Sequence, residues 1–258
     1  MSLIRHIFLI LIMTLVVGAS SAAQQHQAKI AIIIDDIGNN RGDLEAALIP
    51  GKLTFAVLPF TPHARSFALR AHHQNKQIML HAPMQAMRGN RLGPGGLTTE
   101  MSAAAIKLEL QRALNHIPYV VGVNNHMGSY FTQAEGPMRA VMETLHYQRL
   151  FFIDSRTSEY SVAEQLATEI GVPTNHRHVF LDNEVTDDYL LHQWQQLIQH
   201  ALKHGGAVAI GHPYPETLAF LRQKIPKLKT LGIELVFASD IAELRPQPLS
   251  GQMLQTSQ

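Results

Sequence analysis

The chain has 258 residues, with 21 Lys and Arg against 20 Asp and Glu, 15 His and no Cys. Charge this balanced supplies no basic field for nucleic acid and no polybasic patch for a membrane surface. The lack of cysteine excludes disulfides, thiolate metal sites and cysteine nucleophiles, so stability rests on the core and metal chemistry falls to histidines and carboxylates.

Arg5 precedes an apolar run from Ile7 to Val17, and the small residues Gly18 to Ala23 follow. That order predicts a secretory signal over 1–23, cleaved after Ala22 or Ala23 (the alternative being an uncleaved anchor), and hence an exported protein, periplasmic or secreted. The run is shorter than the roughly 20 residues a spanning helix needs. No later stretch is long enough, so no stable membrane span is expected after cleavage. Residues 24–244 read as a single domain, and 245–258, rich in Pro, Gln and Ser, as a loose tail.

The first predicted strand, 29–34, is an apolar run ending in Asp35 and Asp36, with Gly38 just beyond. Such a run reads as a strand buried on both faces of a parallel sheet. A helix over 43–48 follows, then a strand over 53–58, stopped by Pro59 and Pro62. A helix over 63–74 precedes a strand over 77–80 that delivers His81. Residues 85–99 form a glycine-rich loop without the lysine of a phosphate-binding loop, and no G-x-G-x-x-G follows a strand. Ser102 caps a helix carrying Ile106, Leu110, Ala113 and Leu114 on one stripe. A strand over 119–123 ends in Asn124-Asn125-His126-Met127-Gly128-Ser129. After a helix over 136–148, a strand over 150–153 ends at Asp154. Ser161 and Glu164 fit a capping box opening the next helix. A short strand over 179–181 ends at Asp182, and a helix starting at Thr186 runs to His204 and stops at Gly205-Gly206. A strand over 207–210 precedes Gly211-His212. A helix over 215–224 and a strand over 234–237 complete the pattern. Strand and helix alternate about eight times with no hairpin signal, which predicts an α/β domain with a mostly parallel sheet. Periodicity does not separate a closed barrel from an open sheet.

Asp35-Asp36, His81, His126, Asp154 and His212 each follow a predicted strand. In a parallel sheet or barrel those ends share one rim, where ligand sites gather. Two adjacent carboxylates repel unless a metal, a shared proton or a base takes up the charge. The bland alternative makes one a helix cap and leaves the other in solvent. An Asp/His/His set suits zinc or a similar divalent ion and leaves open positions for water and substrate. A second carboxylate would take the proton from water, and a histidine across the site would return it to the leaving group. That is a hydrolase plan for an amide or ester.

The sequence resembles the divergent polysaccharide deacetylases, relatives of the NodB-type carbohydrate deacetylases. The resemblance rests on Ile34-Asp35-Asp36-Ile37-Gly38, Thr54-Phe55-Ala56-Val57-Leu58-Pro59, Leu80-His81-Ala82-Pro83-Met84, Gly122-Val123-Asn124-Asn125-His126-Met127-Gly128-Ser129, Phe152-Ile153-Asp154-Ser155-Arg156-Thr157 and Ile210-Gly211-His212-Pro213. It implies a distorted (β/α) barrel of the glycoside hydrolase/deacetylase type. It further implies Asp35 as general base, Asp36 and His81 as ligands of a divalent metal such as zinc, and His212 as the group that protonates the leaving amine. The substrate implied is a cell-envelope carbohydrate carrying N- or O-linked acetyl groups.

Two departures matter. The NodB pattern has a second histidine four residues after the first, where this chain has Gln85, and the Asn-Asn-His-Met-Gly-Ser block replaces Arg-Pro-Pro-Tyr. His126 is therefore expected to supply the missing ligand. Asn124, Asn125 and Ser129 either bind sugar hydroxyls or an acyl oxygen, or hold their loop in shape. Asp154 and Arg156 either orient His212 and Asp35 or pair with each other. The same departures leave open a non-catalytic module that binds glycan or protein on the same fold.

The remaining histidines read mainly as surface residues. His72, His73, His146, His192, His200 and His204 fall in predicted helices, and the close pair His176 and His178 gives weak grounds for a second site. Trp194 reads as core, with Tyr214 and Phe60 the better stacking candidates at the rim.

Overall fold

The computed structural model describes residues 27–244. The predicted signal over 1–23 and tail over 245–258 lie outside the described residues. Nine strands form one sheet: β1 (Ala28–Ile37), β2 (Thr54–Val57), β3 (Gln77–Met84), β4 (Val120–Met127), β5 (Phe151–Asp154), β6 (Thr174–His176), β7 (Val179–Phe180), β8 (Gly206–Gly211) and β9 (Ile233–Val236). The order is β6-β5-β4-β3-β2-β1-β8-β7, with β9 also pairing β1. Every strand pairing is parallel. Between the strands run α1 (Ala64–His73), α2 (Ala103–His116), α3 (Glu135–Gln148), α4 (Ala163–Ile170), α5 (Asp187–His204) and α6 (Pro215–Lys224).

The two faces of β1 show why the sheet curls. Successive strand side chains point to opposite faces. Ile30, Ile32, Ile34 and Ile37 join a large outer core with Phe67 of α1, Leu110 of α2 and Leu197 of α5. Ala31 and Ile33 face inward and meet Ala56 of β2, Met79 of β3, Ile153 of β5 and Val208 and Ile210 of β8. Side chains from strands so far apart in the order can share one cluster only if the sheet bends round on itself. The architecture is thus a distorted (β/α) barrel. Each fully buried Ile adds about 1.5–3 kcal/mol relative to exposure, so the aliphatic run of β1 anchors both layers.

Two helix starts follow their sequence signals. Ser102 Oγ accepts the Ala105 N–H at 3.2 Å, and Thr186 Oγ1 accepts the Tyr189 N–H at 3.3 Å. Gly205 ends α5 in the left-handed region at φ 82°. Trp194 is buried in the outer core.

Three differences bear on the site. β1, β3 and β4 run on past the expected ends, so Asp35, Asp36, His81, Asn124, Asn125 and His126 lie within strands. The ladder between β3 and β4 continues through Pro83↔His126 and Met84↔Met127, which holds these polar residues in register. β6 is a strand the sequence did not signal, being three residues without an apolar run. The expected capping box at Ser161 and Glu164 does not form. The N-cap is Val162, and Ser161 Oγ instead donates to Asp154 Oδ2 at 2.7 Å.

Candidate active site

Adjacent strand residues should point to opposite faces, yet Asp35 and Asp36 both reach His81. The cause is a break in the β1–β2 register between Ile34 and Ile37, where Asp36 takes a left-handed φ of 58°. Aspartate tolerates that region better than most residues, at a cost of order 1–3 kcal/mol. The twist brings Asp36 Oδ1 to 3.1 Å and Asp35 Oδ2 to 3.6 Å from His81 Nε2. Gly38 follows at φ 120°, where a Cβ would sit 2.3 Å from Thr61 Oγ1, so the turn out of β1 needs glycine.

His126 completes the group from the neighbouring strand. Its Nδ1 lies 2.8 Å from Asp36 Oδ1 and 3.2 Å from His81 Nε2. Asn124 decides the tautomer. Its amide Nδ2 donates to Asp35 Oδ1 at 2.8 Å, so its Oδ1 faces His81 Nδ1 at 2.8 Å and accepts a hydrogen from it. The neutral His81 ring therefore carries its lone pair on Nε2, aimed at a carboxylate oxygen. Buried Asp36 Oδ1 has no well-formed hydrogen bond. Two lone pairs facing each other need a cation or a proton between them. Among the described residues, only Asp36, His81 and His126 bring three such donor atoms within 4.8 Å of one another. This donor set fits a divalent ion, with the second nitrogen of His81 held by a hydrogen bond as metal-binding imidazoles usually are.

The charges fit the same picture. Burial opposes ionisation of Asp36, but the close His126 and His81 imidazoles outweigh it and hold the carboxyl well below the usual range. Burial raises Asp35 against the pull of His81, His212 and Asn124. Burial alone would lower His81, yet the charges of Asp35 and Asp36 push it up to about 8. A raised imidazole pKa adds stability that is complete below the unfolded value near 6.5 and is lost as pH rises through about 8. The shift corresponds to about 2 kcal/mol. Chelator-treated protein should therefore melt at a lower temperature at pH 9 than at pH 6, and His81→Gln should lose most of that dependence. Equal pH dependence of Tm in wild type and His81→Gln would refute this assignment.

His212 follows β8, beside β1 in the sheet. Buried Asp182 accepts its Nδ1–H at 2.9 Å, its backbone N–H at 2.6 Å and the Thr217 hydroxyl at 2.9 Å. That leaves Nε2 toward Asp36 Oδ2, at 3.8 Å. Burial lowers the His212 pKa, but Asp182 more than offsets this and the net shift is upward. A cavity of about 460 Å³ opens over Asp35, Asp36, His81, His126 and His212.

The other expected residues serve the walls. Asn125 accepts the Ser155 N–H at 2.9 Å and donates to the Met127 carbonyl at 2.7 Å. Ser129 Oγ accepts the Met87 N–H at 3.1 Å. Both hold loops. Arg156 Nε lies 3.6 Å from Asp154 Oδ2, and the hydrogen-bond partner of His212 Nδ1 is Asp182. Arg156 is bound more closely by Glu164, at 2.6 Å. Gln85, where the missing histidine would stand, accepts the Thr99 N–H at 2.8 Å and so braces the glycine-rich loop. Tyr214 stands 5.6 Å from His212, ring to ring, whereas Phe60 packs on His116.

Sequence reasoning missed two residues. Asp182 was visible as a strand end but had no assigned partner, because only the sheet order shows that β7 lies beside β8. Arg177 had no signal. It binds the Ser155 and Arg156 carbonyls at 2.7 and 2.9 Å, crosses the Phe180 ring and sets a cation in the cavity wall.

The chain is similar to several known proteins. An uncharacterized protein of Haemophilus influenzae is 40% identical over 205 residues, covering 78% of this chain and 72% of the relative. The uncharacterized protein YibQ of Escherichia coli is 36% identical over 214 residues, covering 83% and 67%. The crystal structure of the uncharacterized protein ATU2773 of Agrobacterium tumefaciens C58 superposes with a TM-score of 0.81 at 23% identity, over 85% of this chain and 91% of that one, so the fold is shared. A family model described as divergent polysaccharide deacetylase matches residues 32–242, nearly all of the described barrel, and the chain belongs to that family.

Proposed function

We propose that this protein is a metal-dependent hydrolase that removes N- or O-linked acetyl groups from a cell-envelope carbohydrate, working in the periplasm after export. The observation that carries the reading is the convergence of Asp36 Oδ1, His81 Nε2 and His126 Nδ1 beside a second, buried carboxylate. Zinc suits two imidazoles and a carboxylate.

A divalent ion bound there would make a water more acidic and polarise the acyl oxygen. Asp35, whose pKa burial raises above the usual carboxylate value, takes the proton of the attacking water. Asn124 fixes the orientation of that carboxylate. His212, whose proton affinity Asp182 raises, gives its Nε2 proton to the leaving nitrogen or oxygen as the C–N or C–O bond breaks. Acetate and the free amine or hydroxyl result, and water supplies one carboxylate oxygen of the acetate.

Metal content and acetate release test the reading together. The wild type should retain a tightly held zinc through dialysis and release acetate from N-acetylglucosamine oligomers or O-acetylated glycan. Asp36→Ala, His81→Ala and His126→Ala should each lose the tight ion and at least about a hundredfold in rate. Metal retained in His126→Ala but lost in the other two would remove His126 from the ligand set. A wild type that takes up no tight ion from zinc, nickel, cobalt or manganese would refute the hydrolase and leave a carbohydrate-binding module.

A further inference from the structure

A second cavity, of about 770 Å³, shares none of these residues and is lined by four histidines: His176, His178, His200 and His204. It lies at the seam between β6 and β7, the two ends of the sheet order, which share no ladder. The helix repeat puts His200 and His204, four residues apart at the end of α5, on one face, with ring centres 4.5 Å apart. His178 stands 4.3 Å from His200, and His176 stands 4.5 Å from His178. Each imidazole thus neighbours the next, from the end of α5 to the end of β6.

The partners of these rings sort ligands from supports. His178 Nδ1 accepts the Val208 N–H at 3.0 Å, so its lone pair is already used by the backbone. His176 Nδ1 lies 2.8 Å from Glu164 Oε2. The contact is close but makes no well-aligned hydrogen bond; a carboxylate beside Nδ1 still favours the lone pair on Nε2. His200 is half-buried, and burial and its neighbours His204, His176 and Lys203 lower its pKa. Glu234, Asp240 and Glu243 on the same walls supply negative charge, against one lysine, Lys29.

We propose that His200 and His204 chelate a second divalent transition-metal ion, with His176 as third donor, at a site separate from Asp36, His81 and His126. Two imidazoles one helical turn apart form a chelate suited to zinc, nickel or copper, and unsuited to calcium or magnesium, which prefer all-oxygen sets. The site is weaker than the first, because its three donor atoms do not already lie within 4.8 Å of one another and the side chains must turn to close it. Its effect is to tie the end of α5 to β6 across the seam. An ion that binds the folded chain and not the unfolded one raises Tm.

Equilibrium dialysis of the full mature chain against zinc, with metal counted by mass spectrometry, tests this. Wild type should bind two ions, Asp36→Ala one, His200→Ala/His204→Ala one, and the three changes together none. Zinc should still raise the Tm of Asp36→Ala, and this rise should vanish when His200 and His204 are also replaced. The exposed single variant His204→Gln, which leaves the core untouched, should lose the weaker ion as well. If wild type binds one ion and His200→Ala/His204→Ala none, the active-site reading fails and this one stands. Full wild-type stoichiometry in His200→Ala/His204→Ala, or in His204→Gln, would overturn it.

Discussion

Asp35→Asn should lower kcat by about a thousandfold, within the range expected for loss of a general base, while the tight ion stays bound. Asp35 is 3% exposed, and the ligand trio does not include it. Asparagine keeps the shape and can still offer an oxygen to Asn124 Nδ2, so the brace that points His81 survives. What it removes is the capacity to accept a proton. It also removes a charge that raises the His81 pKa, so protons should compete less well for that ligand and metal should load at lower pH than in wild type. The two changes have opposite signs: weaker catalysis and easier loading. A variant that merely misfolds would lose both. Steady-state rates measured beside metal titrations at pH 6 and pH 8 separate the cases. Activity within tenfold of wild type in the metal-loaded variant would show that Asp35 is not the base.

The acidic pair could be read directly, because an aliphatic run must end at a rim and charges at that rim need a reason. The strand-end histidines followed by the same logic. The sequence did not disclose the left-handed turn at Asp36, which makes two neighbouring carboxylates converge, since nothing local distinguishes that turn from a regular strand. Nor did it disclose which side chains meet across strands. His81 stands beside Asn124 in the ladder and His126 beside Pro83, two residues further along, and only the register brings both rings to Asp36. Ser161 and Glu164 had the spacing of a capping box, but tertiary contacts claimed both, one for Asp154 and the other for Arg156 and His176. The partner of His212 depended on β8 lying between β1 and β7, a long-range fact that pairing preferences do not encode. Curling was likewise invisible to periodicity: Ala31 and Ile33 look like any buried pair until they meet Ile153 and Ile210.

Asp182→Asn should move the alkaline limb of the rate profile toward lower pH and reduce kcat by about tenfold to a hundredfold, in keeping with the usual worth of acid catalysis. Asp182 touches no part of the cavity floor and acts through His212. Its charge and hydrogen bond raise the pKa of that imidazole. A general acid works only while protonated, so activity declines as pH rises through its pKa. With Asn at position 182 the imidazolium loses its counter-charge, its pKa drops, and the decline begins earlier. Asp154→Asn is the control, being equally buried but bonded to Ser161 and Arg156. It should lower Tm through its loop without moving the alkaline limb. Both variants disturb buried hydrogen bonds, each worth about 1 kcal/mol or more, so loss of stability cannot distinguish them and the profile can. A limb that stays in place in Asp182→Asn, or that moves equally in Asp154→Asn, would mean that His212 draws its proton affinity from elsewhere. Any shift confined to Asp182→Asn identifies the residue across β8 as the one that keeps the acid charged.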